Sequence, residues 1–446
     1  MPITLDPSVR PEDRFISAFE VNKGQTLNGT NASIARQRED AIEHFEQLGI
    51  PTKSLEAWKY TDISKVLKHP YALELAPSTP TLVRDDIEPF LIDGLDAHRL
   101  VFVNGRLDAS LSDVGELPSG VVVTSLEQAG DAHADIIDKH YGAYADTDDE
   151  AMTALNTAFV QDGAFVYIPS GTLLEKPIFL LEINTSEEDL LTQPRNLFIA
   201  EDGAVGRIIE TQHTLGTART FTNAVTEAFV GAKGNLEHYV VQNEGDRASR
   251  VQTLHAYQEN DSVFSTTTVT LSGEVVRNNL TITPDGTFCE SNLFGLFIGK
   301  DDMHIDNHTT VEHVQPDCVS NELYKGVLND DSTGVFNGKV FVDRDSQRIN
   351  AYQSNKSIVL SDRADMYSKP ELEIYADDVE CSHGATMGQL DDEAIFYLRS
   401  RGLSEQHARI LMLRAFTRDV LDEVHIEPLR DRLDTMITDR FSSYHK

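Results

Sequence analysis

The chain has 446 residues, enough for two or three domains that each bury a core. Its composition is globular, 40% hydrophobic and 25% charged, yet 73 acidic residues against 38 basic ones leave a net charge of −35. Such a chain repels nucleic-acid phosphates and anionic lipid, so neither is an expected partner, and acidity spread along its whole length reads as solvation rather than mechanism.

The opening Met1-Pro-Ile-Thr-Leu-Asp6 has no basic flank and no apolar core, so no secretory signal is expected. No run approaches the ~20 apolar residues that span a bilayer. Cys289, Cys318 and Cys381 are too few for a disulfide framework, and none is part of a CxxC pair, which points to a reducing cytoplasm.

In chain order, Ile34, Ala41, Ile42, Phe45 and Leu48 fall on one helical face, and Gly49 with Pro51 stops that run. Leu55-Glu-Ala-Trp-Lys-Tyr-Thr-Asp62 follows and holds the single tryptophan. Leu100-Val-Phe-Val-Asn-Gly-Arg-Leu107 reads as a strand, an Asn-Gly turn and a returning strand. From about 155 to 380, short β-branched and aromatic runs alternate with Gly, Asp-Gly and Asn-Gly breaks, and no helix is expected among them. Gln161-Asp-Gly-Ala-Phe-Val-Tyr-Ile168 resembles Glu201-Asp-Gly-Ala-Val-Gly-Arg-Ile208, with a looser echo at Ala232-Lys-Gly-Asn-Leu-Glu-His-Tyr239. Stacked short strands with Thr- and Asn-rich faces favour a β-solenoid over a β-sandwich.

The last 60 residues return to helix. Asp391 or Asp392 caps a segment through Ile395, Phe396 and Leu398 that ends at Gly402. Ser404 caps a second, with Leu411, Ala415, Phe416 and Val420 inward, and a third carries Ile426, Leu429, Leu433, Met436 and Ile437. These faces must be covered by the solenoid end or by a partner. The expected division is a helical and mixed region at 1–150, a β-helix core at 151–385 and a C-terminal helical region at 386–446.

Two groups of residues carry possible chemistry. Cys381 and His383 stand two positions apart after the strand-like Leu372-Glu-Ile-Tyr375, so in extended chain they share a face about 6.6 Å apart. A thiolate beside an imidazole suits a nucleophile–base pair or two ligands for iron or zinc; the alternative is a buried thiol next to a hydrogen-bonded histidine. His304, Asp306 and His308 alternate as well, followed by Glu312 and His313, which fits either a divalent-metal site or a solvated solenoid face. The chain has no GxxxxGK[ST] loop, no strand-borne GxGxxG, no GxSxG elbow and no HExxH helix. A β-helical polysaccharide lyase or hydrolase would need a base or paired carboxylates along a groove, and would leave the Cys-x-His and the helical tail unexplained.

Cys381-Ser-His-Gly-Ala-Thr-Met-Gly-Gln-Leu-Asp391 with Phe396-Tyr-Leu-Arg-Ser-Arg-Gly402 resembles the SufD branch of the SufB/SufD family. Glu56-Ala-Trp-Lys-Tyr-Thr-Asp62, the His304 to His313 stretch and Lys369-Pro-Glu-Leu-Glu-Ile374 support it over nearly the whole length. The resemblance implies a mainly β fold: a right-handed parallel β-helix flanked by helical N- and C-terminal domains. It implies a non-catalytic scaffold for iron–sulfur cluster assembly that pairs with a SufB-like paralogue and docks a SufC-like ATPase. His383 is then a cluster or iron ligand at the shared interface and Cys381 a weaker one, with no tightly bound cofactor in the isolated chain and only a transient cluster or iron in the complex. Phe396, Leu398, Arg399, Arg401 and Gly402 belong to the expected ATPase dock, and the isolated chain is expected to form a homodimer. A SufB-type primary scaffold is the nearest alternative. Against it, residues 1–288 hold no cysteine, Gln353-Ser-Asn-Lys-Ser357 offers none, and Gly384 rather than glutamate follows His383.

Overall fold

From Val205 to Gly388 the chain repeats one operation: a strand in one sheet, a short turn, then a strand in a second sheet. In the computed structural model, which describes residues 3–4, 9–26, 32–73 and 82–445, each strand pairs in parallel with the next but one. Val205–Leu215 pairs with Asn235–Asn243, and Thr220–Val230 pairs with Ala248–Gln258. Skipping one strand each time winds a solenoid of about seven coils. The Met1 to Asp6 stretch lies outside the described residues except for Ile3 and Thr4.

Coil length varies: 26 residues separate the paired Ser249 and Val275, and 32 separate Thr333 and Asp365. The true repeat is therefore the looser echo, since Val205 pairs with Asn235 one coil on. The stronger resemblance misleads, because Ala164–Ile168 lies in the other sheet from Val205–Leu215. Its shared Asp-Gly does not even mark one conformation, since Gly203 lies in a left-handed turn (φ 66°) and Gly163 does not.

Inside the solenoid, apolar layers give way to hydrogen-bonded amide side chains. Gln242 donates to Asn278 at 2.8 Å, and Asn278 donates to Asn307 at 3.0 Å, on successive coils. Linked in this way, buried amides specify the stacking order, although the Asn307 amide nitrogen is left without a partner.

The strand His98–Val103 extends the second sheet, and Asn104 (φ 53°) with Gly105 (φ 76°) turns it back onto Arg106–Leu107, as the Asn-Gly pair predicts. The helix Ala32–Leu48 forms where its apolar spacing requires, with Ala41, Ile42 and Phe45 buried and Leu48 at the exposed end. Two further helices escape the periodicity. Pro11–Thr26 is largely polar, and Ala151–Phe159 is buried on every side, so neither has a clean apolar stripe. The second of these corrects the expectation of no helix after 155. Phe15, Phe19, Phe45 and Phe159 pack edge to face, and this cluster covers Leu191, Phe221 and Val251 on the outer face of the first sheet.

Three C-terminal helices, Asp392–Ser400, Glu405–Leu421 and Glu427–Ser442, follow their predicted caps at Asp391 and Ser404. They do not cover the solenoid end. Leu413, Val420, Leu429, Leu433 and Ile437 pack on Leu296, Ile298 and Val327 on the outer face of the second sheet. Lys325 anchors them by donating to the Phe416 carbonyl at 2.7 Å and pairing with Asp419 at 2.5 Å. Leu411 and Ala415, expected inward, are exposed; the buried stripe of that helix runs instead through Ala408, Leu413, Thr417 and Val420.

Candidate functional site

At the last coil both sheets stop with no further strand on their outer edges among the described residues. Asp365–Ile374 pairs only with Thr333–Val342, and Val379–Gly388 pairs only with Ile349–Val359. Among the described residues no strand meets their outer edges, so two rows of backbone N–H and C=O groups face outward. Pro370 interrupts one row, as an edge position allows.

Burial alternates along Ile349–Val359, with Ala351, Gln353, Asn355 and Ser357 turned inward. Register then puts Cys381 over Ala351 and His383 over Gln353, so both site residues point to the solenoid interior, as strand spacing predicted. They differ in surroundings. Cys381 is half-buried against an apolar cluster with Val340, Val342 and Ile349, while His383 is exposed at the open mouth. Burial raises the Cys381 thiol, so this sulfur holds its proton in the isolated chain. The two residues do not form a nucleophile–base pair, since no hydrogen bond joins them.

Beneath His383 lies a column that the sequence does not announce. Gln353 donates to the Glu322 carboxylate at 2.8 Å, and Thr309 donates to its other oxygen. Glu322, Gln353 and His383 hold the same register position on three successive coils. Burial pushes Glu322 up to about 7, although its two hydrogen bonds oppose the shift. Only an alignment of coils, 31 and then 30 residues apart, reveals this column.

The second candidate group resolves into a clasp. Arg277 reaches Asp306 at 2.7 Å, His308 lies at 3.0 Å from the same carboxylate, and the Thr61 hydroxyl bonds both Asp306 and His304. Trp58 stacks over the Arg277 guanidinium at 3.8 Å, Tyr60 stacks on Tyr367, and Glu56 pairs with Lys369 at 2.8 Å. Burial works to raise Asp306, but His308 and Arg277 outweigh it and hold the carboxyl below its usual range. With these groups committed to one another, no set of three or more metal-ligating side chains stands ready among the described residues. His304, Asp306 and His308 tie the N-terminal segment to the first sheet.

Two family models match this architecture nearly end to end. Residues 9–180 match the SufBD protein N-terminal region, and residues 182–416 match the SufBD core domain of the SUF system for FeS cluster assembly. The chain belongs to the SufBD family. It is 31% identical over 424 residues to an iron-sulfur cluster assembly SufBD family protein of Synechocystis, covering 93% of each chain. It is 30% identical over 406 residues to the iron-sulfur cluster assembly protein SufD of Escherichia coli, covering 90% of this chain and 92% of that one. A SufD of Bacillus subtilis matches at 26% over 445 residues, 98% of this chain and 99% of the relative. As a SufBD protein, this chain is an iron–sulfur cluster assembly component whose distinctive motif lies on an open solenoid end.

The helix Asp392–Ser400 projects beside that end. Of its residues only Ile395 is buried; Phe396 is 73% and Tyr397 58% exposed. Leu398 is half-buried, while Arg399, Arg401 and Gly402 are exposed, with Arg399 held by Glu405 at 3.2 Å and Arg401 lying over the Tyr397 ring. Large aromatic side chains beside guanidinium groups are the composition of an interface core rather than of a free surface. No helix is long and apolar enough to cross a membrane among the described residues.

Proposed function

We propose that this chain is a non-catalytic scaffold subunit that completes an assembly site jointly with a SufB-like paralogue. The observation that carries this reading is the open last coil, which puts His383 at an uncovered mouth between two unpaired strand edges. A second solenoid end presented to those edges would satisfy their backbone groups and enclose His383. An imidazole is a good terminal ligand for iron passing through such a junction, and iron or the growing cluster is cargo rather than a resident cofactor. Cys381 serves second, because its thiol is raised by burial and must lose a proton to bind metal. No cofactor is held tightly by the isolated chain.

The exposed aromatic and guanidinium face of Asp392–Ser400, with Phe396, Leu398, Arg399, Arg401 and Gly402, is the dock for a SufC-like ATPase in this reading. Without the paralogue, the same edges pair with a second copy and the chain is a homodimer. The complex works in the cytoplasm, apart from nucleic acid and membrane. A SufB-type primary scaffold would need cysteine ligands at the mouth, and only Cys381 is there.

The test is co-expression with the paralogue and ATPase, followed by iron and acid-labile sulfide determination. His383→Ala is expected to leave melting and complex assembly unchanged and to lower cluster content several-fold. Cluster content equal to wild type would remove His383 from the site.

A further inference from the structure

Two of the three cysteines meet, and nothing in the assembly role uses them. Cys289 and Cys318 stand one coil apart, immediately before the paired Glu290 and Val319, and the Val319 N–H donates to the Cys289 carbonyl at 2.9 Å. Their Cα atoms are therefore neighbours across adjacent parallel strands, about 4.8 Å apart, within the span that a disulfide bridges. Both thiols point the same way: the Gly286 carbonyl accepts from Cys289 at 3.2 Å and from Cys318 at 3.1 Å. The third cysteine cannot join them. Cys381 lies a further two coils toward the open end, and its register partner is Ala351, not a cysteine.

We propose that Cys289 and Cys318 form a peroxide-reactive dithiol, which oxidises to a disulfide that staples one complete coil of the solenoid. Cys289 is the attacking sulfur. The neighbouring Cys318 and the Ser262 hydroxyl, which donates to the Cys289 sulfur at 3.8 Å, both lower this thiol. Both are buried, each sitting directly behind a left-handed turn residue, Phe288 (φ 59°) and Asp317 (φ 63°), and Phe288 is 61% exposed. A small oxidant needs only the displacement of that turn.

The Cys289 sulfur attacks one peroxide oxygen, the O–O bond breaks, and the departing hydroxide leaves as water with a thiol proton. The resulting sulfenic acid is attacked by Cys318, the S–O bond breaks, and a second water carries off the other proton. Two thiols are oxidised by two electrons and one hydrogen peroxide is reduced to two waters. The closed loop spans the strands Glu290–Gly299 and His304–His313 and joins the start of Val319–Leu328, the strand that carries Glu322.

The folded full-length chain is treated with a few equivalents of hydrogen peroxide, quenched, unfolded and alkylated. The expected product carries one alkyl group instead of three, yields a single Cys289–Cys318 cross-linked peptide, and melts several degrees higher until dithiothreitol reverses it. In Cys318→Ser, dimedone is expected to trap a sulfenic acid on Cys289. Three alkylated cysteines after treatment, or oxidation confined to Cys381, overturns the proposal.

Discussion

Glu322 is the residue whose chemistry depends most on its surroundings. Its carboxyl titrates near 7 in the fold and near 4.5 when unfolded, so between those values the folded chain keeps a proton that the unfolded chain releases. The stability this contributes is whole below about pH 4.5 and is lost as the pH rises through about 7, an amount on the order of 3 kcal/mol. Denaturant titrations at several pH values should show wild type losing stability across that window relative to Glu322→Gln; parallel pH profiles would refute the assignment. Arg195 presents the opposite case. It is fully buried and pairs with Glu227 at 2.6 Å, whose carboxylate also accepts from the backbone of Gly142, Tyr144 and Ala145. Arg195→Met removes one partner of a buried pair and leaves a stranded charge, so a loss of about 3–5 kcal/mol is expected in urea denaturation. Neither the Glu322 nor the Glu227 carboxylate is legible in the sequence, because in a chain with 73 acids a single carboxylate carries no signal until the coils are aligned.

At the scale of elements, the proposed pairing rests on the unpaired edge strands. Val379–Gly388 is uncharged from Cys381 to Gly388 apart from the titratable His383, and unpaired along one side, features that invite strand addition. A lysine at Ala385, which shares the inward face with His383, puts a charge into any junction without touching a buried contact. Ala385→Lys is expected to change stability by less than about 0.5 kcal/mol and to make the isolated chain monomeric in sedimentation. A variant that remains a dimer would move the interface elsewhere. This end was legible because Cys-x-His two apart in extended chain fixes a shared face, whatever the fold. The solenoid itself was legible from strand length and turn residues, but its period was not: coils of 26 to 32 residues blur any fixed repeat. The buried helix Ala151–Phe159 escaped for a related reason, since an element apolar all round has no period to detect.

At the scale of the molecule, the N-terminal clasp and the C-terminal helices grip the outer faces of opposite sheets and leave the strand edges of the last coil unpaired. The segment Glu56–Thr61 sits on the outer face of the first sheet, and the C-terminal helices sit on the second. The projecting helix is thus free to bind without disturbing either grip. Phe396→Ala with Tyr397→Ala should reduce ATPase co-purification at least tenfold while leaving melting unchanged, since both rings are mostly exposed. Retained co-purification would place the ATPase on another surface.

The solenoid also has a beginning, and it differs from its end. There the sheets finish in Ile3–Thr4 and Arg106–Leu107, each turned antiparallel to its neighbour, and Arg106–Leu107 at two residues is too short to template another chain. A rod with one adhesive tip and one blunt tip has valence one. Under the proposed end-to-end pairing, two such rods meet tip to tip and leave no second adhesive end, so the solenoid carries its own stop to polymerisation.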